Sequence, residues 1–285
     1  RLQWFATLPW QYADLALPEL ERACLAGAAG VMVLANVDGK SLTDPAFDAI
    51  WAAIDARGLP VLVHPTAPPG VGQMDMTRFQ LTASIGFTFD TTLAVARMIY
   101  DGFFDRYSRL KIIAAHGGGA LPYLIARMDQ CFHNIPACQE KTKVRPTDYL
   151  SRIYADAVVF SPDALDLCVK TFGADNVMYG SDYPHTIGDM PGCLARVDGL
   201  AGGLRDRRRA DHVIDRGEQR IVEAAGQHLR AARDAPQPLA IEQVELLEQN
   251  GLARSHFYPV HRAELTQAVC QGLGVGAAAG RAAAI

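Results

Sequence analysis

Leu110–Pro122 reads LKIIAAHGGGALP. An apolar run ends on His116, three glycines follow, and a helix-compatible stretch begins at once. The glycines are contiguous, so the segment is not the GxGxxG turn that cradles a dinucleotide. Three missing side chains beside a strand end let backbone or substrate approach closely, and they expose N–H groups at the start of the following helix. His116 reads there either as a general acid/base beside an anion-tolerant helix terminus or as the end of a turn that merely needs glycine.

Five more short apolar runs flank this one: Trp4–Leu8, Gly30–Asn36, Leu59–Pro65, Ile153–Phe160 and Val177–Asp182. Their apolar residues are continuous rather than alternating, the pattern of parallel strands covered on both faces. Helical patterns lie between them, at Asp14–Ala26, Asp44–Arg57, Met74–Phe104, Leu121–Phe132 and Pro162–Phe172. Thr43-Asp44-Pro45 is a helix-start signal, and Ser161 is a candidate N-cap. This βα repetition fits an open doubly wound sheet or a closed (β/α)8 barrel.

The polar residues favour the barrel. His64, His116 and Asp182 each fall at the C-terminal end of an expected strand, and a barrel gathers all such ends at one mouth, where an open sheet would spread them along an edge. His64, in VLVHP, is a suitable neutral ligand for zinc or another first-row divalent metal, or a core histidine bonded to a carbonyl. Asp182, in YGSDYPH, is costly to bury alone; a metal or a protonated histidine would offset that cost, or it caps a helix. Taken together, the three ionisable groups point to a site rather than to three separate structural roles. Arg127 could take a substrate carboxylate in both arms of its guanidinium, or pair with Asp129 at the surface. His185 reads equally as a mouth residue or a solvated one. His133, His212, His228, His256 and His261 sit in helical or tail contexts that suggest no site.

LPVLVHP, LKIIAAHGGG with Arg127 eleven residues beyond His116, DAVVFSPDAL and YGSDYP together resemble the amidohydrolase-related superfamily. The branch they resemble is the one typified by aminocarboxymuconate-semialdehyde decarboxylase. The resemblance runs from about Trp4 to Leu200. It implies a metal-dependent, non-oxidative carboxy-lyase acting on a small unsaturated or aromatic carboxylic acid. It implies His64 and Asp182 as metal ligands, His116 as the catalytic acid/base with Asp182 assisting, and Arg127 reaching a substrate carboxylate across a homodimer interface. The implied metal is zinc, with manganese as the alternative. The family's first strand carries an HxH pair of further ligands, and no HxH occurs in this sequence. Trp4–Leu8 aligns with the family's third strand. The expected fold is therefore an α/β (β/α)8 TIM-barrel type lacking the first two βα units, with two open sheet edges and a helical C-terminal extension. The Gly-Asn-Ala segment near the family's last helix has Gly217-Glu218-Gln219-Arg220 as its nearest, altered counterpart.

Residues 1–203 are expected to form the incomplete barrel. The stretch 204–235, opening LRDRRR, reads as polar helix with a solvated charged face, and 236–285 as an unassigned tail ending in low-complexity sequence. At 285 residues and 49% hydrophobic content the chain can bury a sizeable core. A net charge of -4 gives no basic field for nucleic acid, and no long uncharged apolar stretch suggests a membrane span. The six cysteines form no CxxC pair, which suggests reduced thiols in a cytoplasmic protein. The opening RLQWFATLP has neither Met nor a signal-peptide layout and reads as a truncated start. The alternatives to a carboxy-lyase are a metal-dependent hydrolase of lactones, esters or amides in the same superfamily, and an inactive truncated barrel that binds a partner.

Overall fold

The computed structural model describes residues 3–204, nearly all of the compact unit Trp4–Val213. The expectations for 204–235 and 236–285 lie, beyond Leu204, outside the described residues, as do His212, His228, His256 and His261. Each of the six apolar runs becomes a strand: β1 (Phe5–Thr7), β2 (Gly30–Leu34), β3 (Pro60–His64), β4 (Lys111–Ala114), β5 (Ile153–Asp156) and β6 (Val177–Met178). They form one six-stranded sheet, entirely parallel, in the order of the chain. A doubly wound sheet reverses its strand order at a switch point. No reversal occurs among these strands, so the sheet winds in one direction, as in a barrel wall.

Register brings the chemistry to one edge. Leu34 lies opposite His64, Val63 opposite Ala114, and Asp156 opposite Met178. His116 follows two residues beyond the end of β4, and Asp182 four beyond the end of β6. The strand centres are apolar: Val31, Val33, Val61, Val63, Ile112, Ala114, Ile153 and Ala155 are at most 1% exposed. Each large aliphatic side chain buried in this way contributes roughly 1.5–3 kcal/mol.

The covering helices are α1 (Ala13–Leu25), α2 (Asp48–Arg57), α3 (Phe87–Tyr100), α4 (Leu121–Asn134), α5 (Pro162–Phe172) and α6 (Met190–Leu204). Helix α1 buries Ala16, Leu20 and Ala23, an inward stripe at helical spacing. Trp10 packs on Trp51 of α2 with ring centroids 4.7 Å apart, and Trp51 meets Phe103 edge-on at 5.0 Å. These rings tie the loop after β1 to α2 and to the turn after α3. Asp44 caps as expected, accepting from Ala46 N–H at 2.9 Å, but it opens a 3-10 turn over Pro45–Phe47 before α2 begins. Ser161 caps α5 by accepting from Ala164 N–H.

The expected long helix over Met74–Phe104 is broken. Phe79 and Gln80 take positive φ, Thr82–Gly86 forms a wide turn, and α3 starts only at Phe87. At its far end Gly102 is left-handed (φ 63°), and a β-carbon there would meet the Lys141 carbonyl at 2.8 Å. The chain stops at Gly102 for that reason and restarts as the short turn Phe103–Arg106.

Candidate active site

Each of three strand ends delivers one member of the site. His64 is the last residue of β3, and its Nδ1 lies 2.8 Å from its neighbour's carbonyl, Pro65 O. A neutral ring that donates Nδ1–H to that oxygen keeps the lone pair on Nε2 for a ligand. Burial, and then the neighbouring His116, pushes the imidazole down to about 4, so it is neutral at physiological pH. Neutral imidazole is the metal-binding form.

His116 stands in the turn between β4 and α4, with its ring 5.6 Å from that of His64. Its Nε2 lies 3.5 Å from Asp182 Oδ1, and the side chains of the pair are only 15% and 8% exposed. Burial opposes a charge on this ring. The hydrogen bond to Asp182 and the negative charges of Asp156 and Asp182 outweigh that, and His116 is raised above the ordinary histidine range. Its Nδ1 is buried with no hydrogen-bond partner among the described residues. A buried imidazole nitrogen left over in this way is a place for an incoming group.

Asp182 does not cap a helix. It takes the left-handed conformation (φ 58°), its carbonyl accepts from His185 N–H at 2.9 Å, and α6 begins only at Met190. His116 (φ 57°) is left-handed as well. For residues with a β-carbon this conformation costs roughly 1–3 kcal/mol, and such strain collects at functional sites.

His185 was undecided in sequence, and the structure brings it to the mouth. Its ring stacks parallel to His64, with centroids 6.4 Å apart and planes 18° apart. Arg127 is not in the mouth. It lies exposed on α4 and pairs with no acid among the described residues. Asp129, its candidate partner, instead accepts from Thr147 N–H and Oγ1–H and faces Arg145.

Two acids that sequence reasoning passed over hold the loops. Asp90, on α3, is 2% exposed; it accepts from Thr66 N–H at 2.9 Å and from the Asn36 amide. Asp90 thereby ties the loop after His64 to the end of β2, and burial raises its pKa. Asp156, at the end of β5, accepts from His116 N–H and Gly117 N–H, each at 3.0 Å. The signal for both was present: an acid within an apolar run is costly unless its oxygens are used.

His64 and Asp182 are chemically suited to a divalent metal, one neutral and one anionic donor. Among the described residues, no group of three or more His, Cys, Asp or Glu side chains is arranged to hold a metal ion. Catalytic zinc ordinarily takes three protein ligands, one more than this pair supplies.

A family model described as amidohydrolase matches residues 1–210. The 2-amino-3-carboxymuconate-6-semialdehyde decarboxylase of Dictyostelium discoideum is 34% identical over 191 residues, covering 66% of this chain and 53% of that protein. The chain thus spans about half the length of this curated relative. The crystal structure of 5-carboxyvanillate decarboxylase from Sphingomonas paucimobilis superposes with a TM-score of 0.63 at 28% identity, over 70% of this chain and 60% of that one. The 5-carboxyvanillate decarboxylase of Novosphingobium aromaticivorans, with bound manganese and 3-methoxy-4-hydroxy-5-nitrobenzoic acid, gives 0.61 at 26% identity, over 68% and 58%.

Proposed function

Because the chain belongs to the amidohydrolase family, we propose that it is the greater part of a metal-dependent, non-oxidative carboxy-lyase acting on a small aromatic or unsaturated carboxylic acid. The observation that carries this reading is the meeting in one mouth of His64, whose Nδ1 is held at Pro65 O, and His116, whose Nε2 lies 3.5 Å from Asp182 Oδ1. Relatives and structural neighbours that decarboxylate such acids support it. Residues 1–203 carry this chemistry.

In this reading His64 and Asp182 are protein donors to a divalent metal, zinc first and manganese second. When bound, the metal supplies positive charge that holds the substrate acid and offsets negative charge developing on it. His116 is the acid. It gives its proton to the carbon that bears the carboxylate, the bond from that carbon to the carboxylate breaks, and its electron pair stays with the organic product as carbon dioxide departs. Asp182 stabilises the imidazolium before the transfer, and the buried setting strengthens that interaction. Balanced over the turnover, one proton enters and one carbon dioxide leaves.

Arg127 fits a role across a homodimer, where its guanidinium would meet the carboxylate in the partner's site. Its exposure on α4 and the 80% exposure of Tyr123 one turn earlier support that placement. A cytoplasmic setting accords with free thiols at Cys24, Cys131, Cys138, Cys168 and Cys193. No described helix is long and apolar enough to cross a membrane.

The test is to incubate the purified chain with zinc or manganese and a panel of aromatic and muconate-type acids, with a lactone panel alongside. Carbon dioxide release from an acid supports the carboxy-lyase. Lactone opening without decarboxylation would replace it with a hydrolase.

A further inference from the structure

His116 and Gly117 are successive left-handed residues, at φ 57°, ψ 54° and φ 65°, ψ 19°. Successive backbone N–H groups turned toward one point make a concave nest that binds an anion. Here the anion is the Asp156 carboxylate. His116 N–H donates to its Oδ2 and Gly117 N–H to its Oδ1, both at 3.0 Å. Oδ1 also accepts from Val158 N–H at 3.0 Å, which turns the chain out of β5 directly after the acid. Asp156 is 6% exposed and its hydrogen bonds come from backbone, so its charge is held by peptide groups. Hydrogen bonds to an ionised acceptor are about twice as strong as neutral ones. Beyond the nest, the Cys168 thiol points at Gly117 O, and Ala120 N–H donates to Thr92 Oγ1. The turn is therefore gripped from β5, α3 and α5, and only the β5 grip acts on the His116 peptide itself.

We propose that Asp156 is a positioning residue whose carboxylate, bound in the nest of His116 and Gly117, holds His116 in the strained conformation that points its imidazole at Asp182. Its catalytic consequence rests on the carboxy-lyase reading; its structural role does not. Asp156→Asn keeps the shape and exchanges one acceptor oxygen for an NH2 donor. Whichever way the amide settles, that donor faces either His116 N–H or the N–H groups of Gly117 and Val158, and at least one bond is lost.

The test has two arms on the full chain. In the first, amide proton shifts and hydrogen exchange are recorded for His116 and Gly117. In the unsubstituted chain both amides lie downfield and exchange slowly; in D156N they move upfield and exchange faster. In the second, on an acid that the unsubstituted chain decarboxylates, D156N lowers kcat by about 100-fold, the cost of a small misplacement of a reacting group, and leaves KM unchanged. Unchanged amides in D156N, or moved amides with unchanged kcat, overturn the proposal. So do rapidly exchanging amides in the unsubstituted chain, a result available even if D156N does not fold. If no acid is decarboxylated at all, the carboxy-lyase reading fails by itself, and the first arm still decides what Asp156 does.

Discussion

The ends of β3 and β4 lie side by side at the same edge of one sheet, and at each the chain presents a half-buried histidine. The fold treats the two imidazoles in opposite ways. The loop after β3 bonds His64 Nδ1 to Pro65 O, offers the ring no carboxylate at hydrogen-bond distance, and depresses it to about 4. The loop after β4 bends His116 into the left-handed region, sets its Nε2 3.5 Å from Asp182, and raises its pKa. In the proposed function that division suits two roles, the neutral ring as metal donor and the other as proton donor. Each loop is also anchored by its own buried acid, Asp90 for the first and Asp156 for the second.

The comparison breaks most severely at Asp182, which in the proposed function serves both histidines, as donor beside His64 and as counter-charge for His116. Asp182→Asn is expected to lower turnover on the order of 10³-fold, the scale of a lost acid/base partner, in a steady-state carbon dioxide assay. Metal content should fall with it.

A smaller effect is expected on the scaffold of the second loop. Gly119 has φ 64° and ψ -129°, a region open in practice only to glycine. A β-carbon there would meet Thr88 O at 2.3 Å and Thr92 Oγ1 at 2.5 Å. Gly119→Ala should destabilise the chain by roughly 1–3 kcal/mol in denaturant unfolding. The loop after β3 contains no such position before Gly70, so alanine replacements at Thr66 or Pro69 should cost less.

A further effect is the pH signature of the metal-free chain. His64 is lowered from 6.5 to about 4, so the fold prefers its neutral form. Its stabilising contribution is complete above about 6.5 and is lost as pH falls from there toward 4. His116 is raised, so its contribution is complete below 6.5 and is lost as pH rises through its folded pKa. The two act in different windows, His64 below about 6.5 and His116 above it. His64→Gln should make stability less sensitive to acid, and His116→Gln should make it less sensitive to alkali, as read from unfolding midpoints across pH.

The strands were legible because parallel strands buried on both faces leave uninterrupted apolar runs, and those six runs became the sheet. The convergence of His64, His116 and Asp182 followed from their common position at strand ends. Met74–Phe104 misled because its helical periodicity is real, while the break at Phe79 and Gln80 falls on residues that carry no turn signal. Asp156 was hidden inside IYADAVVF, where an acid reads as an interruption of the strand. Its value appears only when the turn after the neighbouring strand β4 supplies N–H groups from forty residues away. His185 depended on the path of a loop, which local composition does not determine. Arg127 is exposed on α4, and nothing local to that helix distinguishes a substrate arginine from a surface one.

The most direct test of the divided roles is to measure bound metal and carbon dioxide release together on His64→Gln and His116→Gln. His64→Gln is expected to lose metal and turnover together, whereas His116→Gln keeps its metal and loses turnover alone. Equal loss of metal in both variants, or turnover retained in His116→Gln, would contradict it.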